Sequence, residues 1–174
     1  MGMPIHHIGR RADATYVLFD GEAPQWAVTI DWGDSASLPF HEELVWPAAG
    51  VVVIGGGAAV YLLDLETAHI RLRVPLQSYF GYLVLDRDAS REETLFLLGC
   101  EEIVALRRSL DLRWHAKDVA IDGVVFSRID GSRLWVRAEM DPPGGWFEVE
   151  MDLATGKELS RRPDFSEGYL NPGS

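Results

Sequence analysis

The chain has 174 residues, 47% of them hydrophobic and 25% charged, which excludes a disordered polypeptide and suits one domain burying roughly 70% of its unfolded surface. It carries 27 acidic against 16 basic residues, a net charge of −11, with Lys117 and Lys157 its only lysines. Nucleic acid and anionic membranes require clustered cations, so neither is an expected partner. The lone Cys100 excludes an intramolecular disulfide. No apolar run reaches the ~18 residues of a membrane span, and the opening MGMPIHHIGRRADAT lacks a signal peptide's apolar core. The expected location is the cytoplasm.

In chain order, residues 1–14 read as an N-terminal arm, 15–162 as a single β-repeat domain, and 163–174 as a C-terminal tail. In the arm, His6 and His7 stand near Arg10 and Arg11, a pair without the third ligand a metal site needs. Short runs rich in Val, Ile, Leu, Phe, Tyr and Trp follow at 15–19, 26–32, 43–46, 51–54, 60–65, 82–85, 94–98, 103–106, 124–129, 134–140 and 146–153. Turn signals, including Asp-Gly pairs at 20–21, 122–123 and 130–131, separate them, so the fold class is all-β. The one helical candidate, around 89–93, is short.

The strands repeat. VYLLDLETAHIRLRV from Val60, IVALRRSLDLRWHAK from Ile103 and FEVEMDLATGKELSR from Phe147 each read as strand, polar turn, strand. Each follows another strand and turn. Asp64, Arg107 and Asp152 align at spacings of 43 and 45 residues, close to the period of a propeller blade. Three units of four strands result, and TYVLFDGEAPQWAVTIDWGD supplies one hairpin of a fourth. The segment 151–159, MDLATGKEL, and more loosely Leu63-Asp64-Leu65-Glu66-Thr67, resembles the turn of quinoprotein-type (PQQ-like, WD-like) β-propeller repeats. The resemblance implies a propeller-like architecture rather than a quinone cofactor. Arg161 and Arg162 stand where such repeats carry a tryptophan, and Trp114 stands near that place in the middle repeat.

Hydrophobic alternation separates the units. VVVI, VYLLDL and TLFLL are apolar at successive positions and should be buried on both faces. In the last unit Leu134, Val136, Ala138 and Met140 alternate with Trp135, Arg137 and Glu139, and Phe147, Val149, Met151 and Leu153 alternate with Trp146, Glu148, Glu150 and Asp152. Placing both apolar sets on one face sets Arg137 opposite Glu148 and Arg133 opposite Asp152, across a loop of Asp141, Pro142, Pro143 and Gly144. Trp26, Val28, Ile30 and Trp32 alternate similarly with Ala27, Thr29 and Asp31. Wet faces on the first and last units predict a small, open or imperfectly closed propeller-like array; the alternative is a β-sandwich.

Val51 to Leu65 includes Gly55 and Gly57 with Val60 at the third position of G-x-G-x-x-G. That valine would obstruct the helix–strand approach of a dinucleotide site, and no acid stands some 20 residues on, so the glycines read as hairpin turns. His41-Glu42-Glu43 reads as a solvated loop, and Asp31-Trp32-Gly33-Asp34 and Asp86-Arg87-Asp88 as turn chemistry. Glu101 and Glu102 should raise the Cys100 thiol. No catalytic set, metal cluster or cofactor is assigned, and Asp130 and Glu139 could form a carboxylate pair only if the fold joined them.

The candidate interaction residues are Trp135, Trp146, Trp46 and Arg137, because large aromatics on a polar face resemble binding hot spots. The competing reading is that the tail from Pro163 covers them. The expected function is a non-catalytic protein-binding module, engaging a second copy of itself or acting as an acidic, immunity-type inhibitor of a basic protein. The alternative is a small-molecule or carbohydrate-binding domain, or an enzyme, with a loop site marked by His69 or His115.

Overall fold

The computed structural model describes residues 6–10, 14–33, 40–141 and 145–164. Asp34, the loop residues 142–144 and the tail from Phe165 lie outside them. Fifteen strands are described: β1 (His6–Arg10), β2 (Thr15–Asp20), β3 (Ala23–Thr29), β4 (His41–Trp46), β5 (Val51–Gly56), β6 (Ala59–Asp64), β7 (Ile70–Pro75), β8 (Phe80–Asp86), β9 (Thr94–Gly99), β10 (Ile103–Arg107), β11 (Leu112–Ala116), β12 (Gly123–Asp130), β13 (Arg133–Asp141), β14 (Gly145–Asp152) and β15 (Glu158–Pro163). They form one three-stranded and three four-stranded antiparallel sheets, each in sequence order apart from the direction of reading. The sheets follow one another as blades 1 to 4. Their first strands lie side by side, β1 against β4, β4 against β8, β8 against β12, and the array does not close.

Three apolar clusters fill the three blade interfaces. Tyr16, Leu18, Val52, Ile54 and Leu63 pack blade 1 on blade 2. Trp46, Val53, Leu62, Leu97 and Leu106 join blades 2 and 3, and Phe96, Trp114, Leu134, Val136 and Met151 join blades 3 and 4. Central blades therefore bury both faces: β5 and β9 are buried at every position. Blade 4 buries one, with Leu134, Val136, Ala138, Val149 and Met151 inward, whereas in blade 1 Val17 is buried on the face opposite Tyr16 and Leu18. The register places Arg137 opposite Glu148 and Arg133 opposite Asp152, as alternation requires. A bulge between Glu139 and Asp141 shifts the end of the hairpin, so Asp141 pairs with Gly145 rather than sitting in a four-residue loop.

The structure corrects several local expectations. Within 1–14, HHIGR is strand β1 and not part of an arm: it pairs with β2, and His7 stacks on Phe19 at 4.9 Å. Ile8 is its one aliphatic anchor in the core, too weak a pattern to read as a strand. Residues 89–93 are turn, where Arg91 bonds Asp86 at 2.5 Å and Asp88 at 2.8 Å. His41 and Glu42 belong to strand β4 rather than a solvated loop, with Glu42 Oε2 accepting the Leu83 N–H at 2.6 Å. Of the three glycines at 55–57, Gly57 alone turns the chain, at φ 54°. Gly55 and Gly56 lie inside β5, and a Cβ on Gly55 would stand 2.8 Å from Phe80 Cδ2 and closer still to its Cε2 and Cζ. A strand follows, where a dinucleotide site needs a helix.

Equivalent turns end β6 and β14. Asp64 Oδ1 accepts from the N–H groups of Glu66 and Thr67 and from Thr67 Oγ1; Asp152 Oδ1 accepts from Ala154, Thr155 and Thr155 Oγ1 in the same pattern. The threonine hydroxyls foremost hold both carboxyls below their ordinary value of 3.8. A depressed carboxyl stabilises the fold above 3.8, and that contribution is lost as pH falls through the lower folded value. Thermal melts should therefore show stability dropping on acidification below 3.8, with an Asp64→Ala/Asp152→Ala variant less stable at about pH 5 and flatter in its acid limb.

In every blade the pairing of the last two strands shifts directly after the residue two before this turn: Leu18, Leu62, Ala105 and Glu150. Their partners are Trp26, Leu72, Trp114 and Ser160. Trp26 donates from Nε1 to the Leu65 carbonyl of blade 2, and Trp114 to the Leu153 carbonyl of blade 4, each at 2.9 Å. Two tryptophans thus bolt one blade to the next. The residue facing Trp114 is Gly156, left-handed at φ 68°, and Ala68 in the matching turn of blade 2 is left-handed too, at φ 60°. At the interface of blades 2 and 3 a leucine pair, Leu72 and Leu110 (φ 69°), stands instead.

Candidate interaction face

The outward face of blade 4 carries three of the four candidate residues. Alternation along β13 and β14 turns Trp135, Arg137 and Glu139, with Trp146, Glu148 and Glu150, away from blade 3. Both tryptophans are half-buried, and guanidinium groups are prominent in their cover. The Arg128 guanidinium lies 4.4 Å from the Trp135 ring centroid and that of Arg162 lies 5.7 Å from it. Glu148 ties the two arginines together, meeting Arg128 at 3.2 Å and pairing with Arg162. The Arg162 hydrogen bonds, followed by those of Arg128, hold the Glu148 carboxyl below the usual range.

Arg137 lies 5.0 Å from the Trp146 ring centroid and bonds Asp164 Oδ2 through Nε at 2.5 Å. The Asp164 N–H donates to the Trp146 carbonyl at 2.9 Å. The start of the tail segment is therefore laid on this face. Arg133 pairs with Glu150 at 3.1 Å and with Asp152 at 3.5 Å. The result is a sheet face of aromatic rings and planar cations interleaved with carboxylates.

Trp46 is not on it. At 0% exposure it sits in the core of blades 2 and 3, its Nε1 donating to Glu93 Oε2 at 2.6 Å. Expected as a surface aromatic before Pro47, it is the buried last residue of β4, where the inner strand meets blade 3. Asp130 and Glu139 stay apart, paired with Arg133 and Gly123 at opposite ends of one hairpin. Cys100 is half-buried, and burial first, then Asp122 and Glu101, push its thiol upwards. Among the described residues no group of three or more His, Cys, Asp or Glu could hold a metal ion, and no helix is long and apolar enough to cross a membrane.

Arg128, Glu148, Arg162 and Asp164 complete the face and were absent from the candidate set. Extending the strand register one strand either way points to Arg128 and Arg162, but a bulge at Phe126/Arg128 moves Arg128 opposite Trp135.

No protein-family model matches this sequence, and neither does any curated protein. Solved structures do match in fold. BamB from Moraxella catarrhalis is 13% identical with a TM-score of 0.61, over 90% of this chain and 45% of that one. BBS1N, solved in complex with ARL6DN, is 9% identical at 0.55, over 87% and 47%. Quinohemoprotein alcohol dehydrogenase ADHIIG from Pseudomonas putida HK5 is 16% identical at 0.52, over 91% and 33%. These are β-propellers, and the fold of this chain is an open run of propeller blades. At such identities the likeness is one of fold, and the chain spans less than half the length of each of these neighbours.

Proposed function

We propose that this chain is a non-catalytic protein-binding module that engages its partner through the outward face of blade 4. The observation that carries this reading is the half-buried Trp135 and Trp146 on the outward face, each beside an arginine that is itself held by a carboxylate. Tryptophan and arginine dominate binding hot spots, and ordering them beforehand lowers the entropy lost on association. A neighbour of the same fold, BBS1N, was solved in complex with another protein, ARL6DN, which supports a protein partner in general terms. The partner is a second copy of the chain or a protein whose basic surface complements the net charge of −11. A cytoplasmic setting is part of the same reading.

Native mass spectrometry of the protein taken gently from its own host tests it. A doubled mass or a stoichiometric second protein is expected, and the Trp135→Ala/Arg162→Ala variant should weaken that complex about 30-fold while leaving the far-ultraviolet circular dichroism unchanged. A bare monomer in the native preparation, or a complex indifferent to this variant, would overturn the proposal.

A further inference from the structure

A groove of about 440 Å³ runs between blades 2 and 3, and its lining differs from that of the groove between blades 1 and 2. The latter mixes Thr29, Asp31 and His69 with its apolar residues. The former is walled by Leu72, Val74, Val104 and Leu106, with Gln77 and Arg73, whose guanidinium is engaged with Tyr61, also on its lining. Its aliphatic character follows from the interface itself. Where Trp26 and Trp114 bolt the other blades, Leu72 and Leu110 stand, and their branched side chains line this groove with aliphatic carbon.

The channel has polarity along its length. The turn of blade 3, at Leu110 and Leu112, closes one end; Leu112 is 56% exposed and forms an apolar lip. The far end of β11 brings Lys117 and His115 to the other mouth. His115 is engaged with Glu102 at 2.5 Å, whereas Lys117 is exposed and makes no ion pair among the described residues. In a chain with 27 acids against 16 lysines and arginines, an exposed cation free of an ion pair at the mouth of an aliphatic groove is a selective feature. From Leu112 to Lys117 the strand runs about 16 Å, matching an extended acyl chain on the order of a dozen carbons, and the volume lies in the range of small-molecule sites.

The geometry points to this groove as a binding site for a medium-chain aliphatic carboxylate, its tail along Leu72, Val104 and Leu106 and its carboxylate at Lys117. This goes beyond the protein-binding reading and uses a different part of the molecule. The test is a calorimetric titration of the full chain with decanoate and, separately, with 1-decanol. Saturable one-to-one binding of decanoate is expected, stronger than that of the alcohol. Lys117→Met should weaken decanoate about tenfold and leave the alcohol unchanged, the size of one charge-assisted hydrogen bond. Leu72→Trp/Leu110→Gly, which transplants the Trp114–Gly156 arrangement into this interface, should abolish binding of both. Should that variant fail to fold, methyl NMR of the wild type decides: decanoate shifts centred on Val74, Val104 and Leu106 support the site, and shifts centred elsewhere overturn it. No saturation, equal affinity for acid and alcohol, or indifference to the Lys117 change would also overturn it.

Discussion

Trp114→Ala is expected to lower the unfolding free energy by about 3–5 kcal/mol in urea denaturation, the range for removing a large buried aromatic. Trp114 is 6% exposed, packs on Phe96 at a centroid distance of 5.8 Å, and donates to the Leu153 carbonyl across the interface of blades 3 and 4. Gly156 is fitted to its ring: a Cβ there would lie 3.1 Å from Trp114 Cγ and closer to Cδ2 and Cε3. Truncation therefore leaves a void and an unfilled acceptor at once. Because each blade touches only its neighbours, the loss should fall on blade 4. Amide hydrogen exchange should show β13 and β14 losing protection before β5 and β9. Trp114→Phe, keeping a ring but not the donor, should cost about 1–2 kcal/mol. A uniform loss of protection, or a change below about 1 kcal/mol for the alanine variant, would contradict the bolt assignment.

Glu102→Ala should cost about 2–4 kcal/mol, because the carboxyl is the common acceptor of a segment that would otherwise lack one. Glu102 is 0% exposed; its Oε1 accepts the Gln77 and Ser78 N–H groups, and its Oε2 meets His115 Nε2 at 2.5 Å. Those contacts tie the connection leaving β7 to the middle of blade 3. Glu102→Gln keeps an acceptor for the backbone amides and should recover at least half of the loss, as read by thermal and urea unfolding. Equal losses for the two variants would show that the charge, rather than the acceptor, holds the segment.

Much of this architecture is legible in the sequence where a local period decides it. A two-residue alternation across β13 and β14 suffices to pair Arg137 with Glu148 and Arg133 with Asp152, because a one-residue slip would turn every apolar side chain outward. The Asp-x-x-Thr turns after β6 and β14 are likewise local, since the carboxyl bonds backbone two and three residues on. Of the candidate face, Trp135, Trp146 and Arg137 follow from the same alternation. Their covering groups do not, because Arg128, Arg162 and Asp164 arrive from other strands, one of them displaced by a bulge.

What the sequence determined by itself is the all-β class, the repeat of about 40–50 residues and the inward face of each end blade. Those depend on neighbours along one strand or one hairpin. Which aromatic is core and which is surface was decided by sheet against sheet. Trp46 is buried because blade 3 stacks on its blade, whereas Trp135 keeps a wet face because no described sheet follows blade 4. Gly55 is small because Phe80 of the next blade lies against it, not because the chain turns there. The aliphatic lining of the groove between blades 2 and 3 likewise forms only once Leu72 and Leu110, far apart in the chain, meet across that interface.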